Sequence, residues 1–337
     1  MKKNILVFTL TALALLCLAV ACNLDAADGI YSEVAASTES TDVVTRSFVG
    51  TYADKYYFLS DEGLFRLGDG KIVANTEGKI IRSAYLDASG NIVLLTQDAS
   101  TLTAGLTYRA VSGTGYADPV VIDGTYRGLL TNGIAWDDAK IYKVSGSTAT
   151  EKVAGVSVVY ALESDGYAFF SVKETATDDY RFYVLDENGD TVFQLLGDST
   201  PYVGFQPVGT SGVYMLISYD ASHNTFKGYR MTSGGGIEDE AWFTLNSTNQ
   251  YAYSTQIPSF CYTKDAKDYI VLKCSSYFDR YNITDDEIES IDKGFATNLR
   301  TAEITNIKHI SGLIFVAGTK SSMLYEIDME NNSSRQL

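Results

Sequence analysis

Histidine is almost missing from this chain: His223 and His309 are its only two in 337 residues. They stand too far apart for an H-x-x-x-H zinc pair. His223 sits in the polar run D-A-S-H-N and reads as a loop residue; His309, in I-K-H-I-S-G, reads as a strand end. Basic residues are scarce too, 26 against 42 acidic ones, for a formal charge of −16. That balance disfavours nucleic acid and anionic lipid surfaces. No G-x-S-x-G nucleophile elbow and no phosphate-cradling glycine loop occurs. D-D-E (285–287) and D-E-N-G-D (186–190) lack calcium-loop spacing and read as acidic hairpin tips. Neither a cofactor nor a metal site is expected. Proline is rare, at 4 residues. Beyond the N-terminus no apolar period of 3.6 is sustained, which argues against helical domains.

What the chain does have is aromatic and repetitive, with 24 tyrosines and 15 phenylalanines. Such residues suit a pleated, half-buried surface. Seven short apolar strands recur: Y-Y-F-L-S (56–60), N-I-V-L-L-T (91–96), I-A-W-D (134–137), Y-A-F-F-S-V (167–172), V-Y-M-L-I-S (213–218), Y-I-V-L-K (269–273) and L-I-F-V-A (313–317). Each is followed by a strand with a central aromatic: Phe65, Tyr108, Tyr142, Tyr183, Tyr229, Tyr281 or Tyr325. The aromatics lie 34 to 52 residues apart. About four short strands per unit at that period is the pattern of a β-propeller blade. The fold class expected is therefore all-β: a seven-bladed β-propeller of four-stranded antiparallel blades over 44–337, with six or eight blades also open. Glycines in D-A-S-G-N, E-S-D-G-Y and D-E-N-G-D fit tight hairpins.

The N-terminus reads as a signal peptide over 1–21. Lys2 and Lys3 precede an uncharged run that ends in L-A-V-A-C at Cys22. This resembles the bacterial lipobox, in the loose form found in spirochaete lipoproteins, with Ala19 where leucine is usual. The resemblance implies acylation, such as palmitate, on Cys22; a plain A-x-A cleavage site is the other reading. Cys17 lies inside the apolar run. Residues 22–43 would be the acylated N-terminus and a polar tether, with G-I-Y-S-E-V (29–34) either an added strand or disordered. Removing 1–21 takes away two lysines and no acid, leaving about −18. Membrane attachment would then rest on acyl chains, at about 0.8 kcal/mol per buried methylene. Asn23 after the cysteine points to the outer membrane of a bacterial cell envelope.

Two cysteines remain, Cys261 and Cys274, flanking one hairpin. A turn centred on Lys267–Asp268 would set them opposite and permit a disulfide; a turn centred on Ala266 would not.

Labelling the strands of each unit A (innermost) to D, the D–A and B–C loops share one face. Its loops are the longest: 98–105, 173–179, 219–225 and 246–255. This register places Tyr126, Arg127, Trp136, Tyr219, Tyr251 and Tyr253 there, residue types enriched at binding hot spots. The whole resembles lipid-anchored bacterial β-propellers in repeat pattern. It lacks the repeat residues of the outer-membrane-assembly propeller lipoprotein, and a single Trp136–Asp137 without an upstream G-H does not make a WD40 repeat. The expected function is a membrane-tethered, non-enzymatic binding scaffold for a protein or glycan. The alternatives are a propeller-type lyase or glycosidase, acting on envelope or host glycan and using Asp137 or Asp138, and a structural surface antigen.

Overall fold

The computed structural model describes residues 45–164, 166–196, 202–207, 213–220, 225–232, 236–237, 243–246, 260–273, 278–291, 294–320 and 323–337. Every apolar run read from the sequence is the second strand of an antiparallel sheet, and every spaced aromatic lies on the third.

The first sheet is β1 (Thr45–Tyr52), β2 (Lys55–Ser60), β3 (Gly63–Arg66) and β4 (Gly70–Ala74). The second is β5 (Lys79–Leu86), β6 (Ile92–Asp98), β7 (Ala104–Arg109) and β10 (Val120–Ile122). A small ribbon, β8 (Val111–Ser112) with β9 (Gly115–Tyr116), is inserted before β10. The third sheet is β11 (Gly128–Leu129), β12 (Ile134–Trp136), β13 (Lys140–Ser145) and β14 (Thr148–Ala154). The fourth is β15 (Val156–Ser164), β16 (Tyr167–Glu174), β17 (Tyr180–Leu185) and β18 (Thr191–Leu196). The fifth has β19 (Tyr202–Pro207), β20 (Val213–Asp220) and β21 (Thr225–Thr232), whose outer edge is shared by β22 (Gly236–Ile237) and β23 (Phe243–Asn246). The sixth is β24 (Phe260–Lys264), β25 (Lys267–Lys273), β26 (Phe278–Asn282) and β27 (Glu287–Ser290). After a short helix, α1 (Thr297–Thr301), the seventh is β28 (Ile304–Ser311), β29 (Ile314–Thr319), β30 (Leu324–Asp328) and β31 (Ser333–Gln336). Six sheets thus have four strands and one has five. No helix among the described residues is long and apolar enough to cross a membrane.

Sheets pack face to face in chain order, with their first strands innermost: β1 meets β5, β5 meets β11, β15 meets β19, and β28 returns to β1. This is a β-propeller with antiparallel, four-stranded blades. The core lies between sheets. Along β6 the alternation sorts it: Ile92 and Leu94 pack towards the first sheet, Val93 and Leu95 towards the third. Both faces are covered, so the strand reads as an unbroken apolar run rather than an alternating one.

The inner strands are bulged. In β1, β5, β15, β19 and β28 an extra residue follows the pair made with Ser60, Thr96, Val172, Ser218 and Thr319 respectively. A bulge bends its strand and increases local twist. Its recurrence at one position gives neighbouring inner strands a common curvature. The ring is joined by a side chain acting as backbone: the Asn306 amide accepts from Phe48 N–H at 2.8 Å and donates to Phe48 C=O at 2.9 Å.

The β24–β25 hairpin turns at Asp265–Ala266, both left-handed, and sets Ile270 opposite Cys261. Cys261 is a free, buried thiol. The bridge to Cys274 is corrected accordingly, because the turn lies N-terminal to the position that would align the pair. Cys274 itself falls outside the described residues, as do Cys22, G-I-Y-S-E-V and His223. His309 lies on β28, its ring against Phe315 and within 2.9 Å of the Gly312 carbonyl.

Candidate functional site

The centre of the ring is crossed by a cation. Lys308, on β28, reaches Thr131 Oγ1 at 2.7 Å and Glu163 Oε1 at 3.2 Å. Thr131 belongs to the β11–β12 turn and Glu163 to the end of β15, so the contact joins the seventh sheet to the third and fourth. Glu163 is further held by the Thr131 hydroxyl at 2.6 Å and Asn132 N–H at 3.1 Å. These residues lie at the A–B end of the ring, opposite the D–A/B–C face.

On that face the β6–β7, β12–β13 and β16–β17 turns are locked by their own side chains. Asp98 Oδ1 accepts from Ser100 N–H and Oγ at 2.8 and 2.6 Å and from Thr101 N–H at 3.0 Å. Bonding from the Ser100 hydroxyl, with the backbone N–H groups of Thr101 and Ser100, holds its pKa down at about 2. Asp137 Oδ1 accepts from Ala139 and Lys140 N–H, both at 2.7 Å, and its Oδ2 accepts from the Tyr142 hydroxyl at 2.6 Å. Burial and this bond raise the Tyr142 pKa. Asp138 is held bidentately by Arg127 at 2.7 and 2.8 Å, which lowers the carboxyl pKa.

Two of these turns share a geometry. Leu102 N–H donates to Asp98 C=O, and Asp178 N–H donates to Glu174 C=O, both at 2.9 Å. Each closing residue is left-handed, with φ of 58° at Leu102 and 65° at Asp178. Aspartate tolerates that region; leucine does so at a cost of about 1 kcal/mol or more. Leu102 is nevertheless held there with 62% of its surface in solvent.

The residues predicted for this face divide three ways. Arg127 is exposed and paired with Asp138. Tyr126 is a correction: only 3% exposed, it packs edge-on to Tyr142 at 5.6 Å and donates to Asp123 C=O. Its ring fills the gap beside β11, an inner strand of only two residues. Trp136 is also turned inward, edge-on to Phe170 at 5.6 Å and over Gly128. A Cβ at Gly128 would lie 1.9 Å from the indole, so any larger residue here would have to displace the ring. Tyr219 is on β20, paired with Phe226, and its side chain is outside the described set; Tyr251 and Tyr253 lie wholly outside it. Leu102 was missed. The signal available was a lone leucine in the polar run D-A-S-T-L-T, at the place where the fourth unit carries Asp178.

A cleft of about 500 Å³ opens between the first and second sheets. Its walls include Val73 on β4 and Ile81, Leu94, Thr107, Arg109 and Val121 on one face of the second sheet. It exists because β3 and β4 have only four and five residues and leave the outer half of that face uncovered.

No protein-family model matches the chain, and no curated protein does. Among solved structures, a prolyl endopeptidase is similar with a TM-score of 0.51 at 9% identity, over 90% of this chain and 52% of that one. Prolyl oligopeptidase B from Galerina marginata gives 0.49 at 9% identity, over 90% and 52%. An uncharacterized protein from Listeria monocytogenes gives 0.47 at 12% identity, over 88% and 95%. The chain spans about half the length of the two peptidases. At such identity the likeness speaks to the propeller fold alone.

Proposed function

We propose that this chain is a membrane-tethered, non-enzymatic binding propeller that holds a partner, a protein or a glycan, on its D–A/B–C face. With the five-stranded sheet as one of its blades, the proposed ring has seven. The observation that carries the reading is Leu102: an apolar side chain presented to water on strained backbone, by a turn that Asp98 locks. Backbone strain concentrates where structure serves function. A preorganised turn loses little entropy on binding. Exposed leucine favours a protein partner over a glycan.

Acid–base chemistry fits the same face poorly. It needs two positioned groups with separated pKa values. Asp137 is spent on its own turn and on Tyr142, while Asp138 is paired with Arg127.

Acylation at Cys22 would hold the chain at a membrane, with the outer membrane of a bacterial envelope as the proposed location. Affinity capture from membranes of cells expressing the chain tests both parts. Leu102→Asp should reduce recovery of the partner about tenfold, the loss of a hot-spot side chain. Cys22→Ala should release the chain into the soluble fraction. Equal recovery with Leu102→Asp would overturn the face assignment, and continued detergent-phase partitioning of Cys22→Ala would overturn the anchor.

A further inference from the structure

The turn that presents Leu102 has a counterpart in the fourth sheet, and the two differ in charge. Counted from the inner-strand bulge, Arg82, Gln97, Asp98 and Leu102 of the second sheet stand where the fourth has Val159, Lys173, Glu174 and Asp178. In the fourth sheet the charges cancel locally: Lys173 pairs with Asp178 at 3.1 Å, and Glu174 with Arg181. In the second sheet the same positions leave two groups unmatched, an apolar side chain at Leu102 and a cation at Arg82.

Gln97 fixes how these two stand to one another. Its Oε1 accepts from Arg82 Nε at 2.7 Å, and its Nε2 donates to the Leu102 carbonyl at 3.0 Å. Arg82 and Leu102 are therefore one side-chain amide apart. Only the Nε of Arg82 is engaged; among the described residues its Nη1 and Nη2 donate to no group and no carboxylate pairs with it. Arg82 is exposed. An unpaired arginine stands out in a chain with 42 acidic residues against 26 basic ones. Other cations of this face are taken: Arg127 is held by Asp138, Lys173 by Asp178 and Arg181 by Glu174. Lys79, at the start of β5, adds a second cation without an ion pair among the described residues. Asp98, which pairs with it across the strands, is bound through Oδ1 by its own turn.

We propose that Leu102 and Arg82 together bind an acidic, apolar segment of a partner protein. A hydrophobic side chain of the partner packs on Leu102, and an Asp or Glu carboxylate takes the Nη1 and Nη2 donors of Arg82, a pairing that guanidinium geometry favours. The assignment rests on the binding role proposed above and specifies the chemistry of the partner. An amide bridge with a hydrogen bond at each end spans about 7 Å, and both side chains extend beyond it. The partner's acid and hydrophobe should thus lie about two to four positions apart on extended chain. The negative charge of the rest of the surface repels such a segment elsewhere, so Arg82 also sets where it can sit.

The test is selection of phage-displayed random dodecapeptides on the full chain, followed by fluorescence anisotropy of the enriched peptides with variants. Enriched peptides should carry Asp or Glu two to four positions from Leu, Ile, Met or Phe. Arg82→Gln should weaken their binding about fivefold and flatten its dependence on salt. Arg82→Glu should prefer analogues in which each Asp or Glu is replaced by Lys. Lys173→Gln, on the fourth sheet, should bind as the parent does, and thermal midpoints of the Arg82 variants should match the parent's. No enrichment, or peptides that bind Arg82→Gln undiminished, overturns the proposal. So does an oligogalacturonate probe that binds through Arg82 where no peptide does, which would assign the cation to an acidic glycan. Peptides that need Leu102 but ignore Arg82→Gln would remove the acidic requirement and leave the proposed function standing. Peptides indifferent to both Leu102→Asp and Arg82→Gln would remove both.

Discussion

Lys308 and Glu163 meet at 3.2 Å across the middle of the ring, although 145 positions separate them in sequence. Lys308 leaves β28 towards the sheets that stand opposite, and it also approaches the Val49 carbonyl on β1 at 3.4 Å. Inner strands of the first, fourth and seventh sheets and the β11–β12 turn are thereby tied at one level. With their side chains 27% and 13% exposed, the pair is sheltered but not dry.

Removing one partner leaves a sheltered charge without its counter-ion. Glu163→Gln should destabilise by about 2 kcal/mol, between the values for exposed and buried pairs. Lys308→Met strands the Glu163 carboxylate instead, but the Thr131 hydroxyl and Asn132 N–H still donate to it, so this variant should cost less than Glu163→Gln. Thermal melts of the two variants and the double variant check the ordering; equal, negligible shifts would mean that the pair does not tie the ring.

Ring closure depends on a glycine for reasons of space rather than conformation. A Cβ at Gly318 would come within 2.9 Å of both Asn306 Oδ1 and Thr305 Oγ1. Gly318→Val should displace the Asn306 amide from Phe48 and cost about 2–3 kcal/mol through overpacking and a lost double hydrogen bond. Amide exchange at Phe48 should accelerate more than exchange at the buried strand β16. A uniform change at both sites would contradict a local role.

The turn displaying Leu102 should depend on pH. Asp98 is held at about 2 in the folded chain, below the ordinary aspartate value of 3.8. Its contribution is therefore complete above the unfolded value and is lost as pH falls through the folded one. Amide exchange at Ser100 and Thr101, corrected for intrinsic rates, should rise as pH drops from about 4 towards 2. It should be flat between about 5 and 8. Asp98→Asn should show fast exchange throughout.

Leu102 itself should be a liability to the isolated fold. Leu102→Asn, with a side chain that tolerates left-handed backbone, should raise stability by about 1 kcal/mol. Urea unfolding measures this. A destabilised variant would mean that leucine packs against its own chain, which would remove the basis for assigning it to a partner.

The second strands were legible because neighbouring sheets cover them on both sides, as along β6, which leaves dense apolar runs, and the third strands because each carries a recurring aromatic. The bulges were not. The extra residues include Arg82 on β5 and Val159 on β15, which share no side-chain chemistry, so their common position shows only in the pairing. Tyr126 and Trp136 were assigned to the correct face but with the wrong orientation. Strand register locates a residue at a loop without deciding whether its ring turns into the gap between sheets. Gly124 and Gly128, close by in sequence, provide the room for those two rings. The inserted ribbon β8–β9 escaped notice because its strands are two residues each.

A photo-crosslinking residue placed at position 102 in the expressed chain tests the binding account most directly. The same residue at Gly68, in the β3–β4 turn on the opposite face, is the control. Irradiation should give one discrete higher-mass adduct from position 102 and none from position 68. Adducts of equal yield from both positions, or none from position 102, would contradict a partner-binding D–A/B–C face.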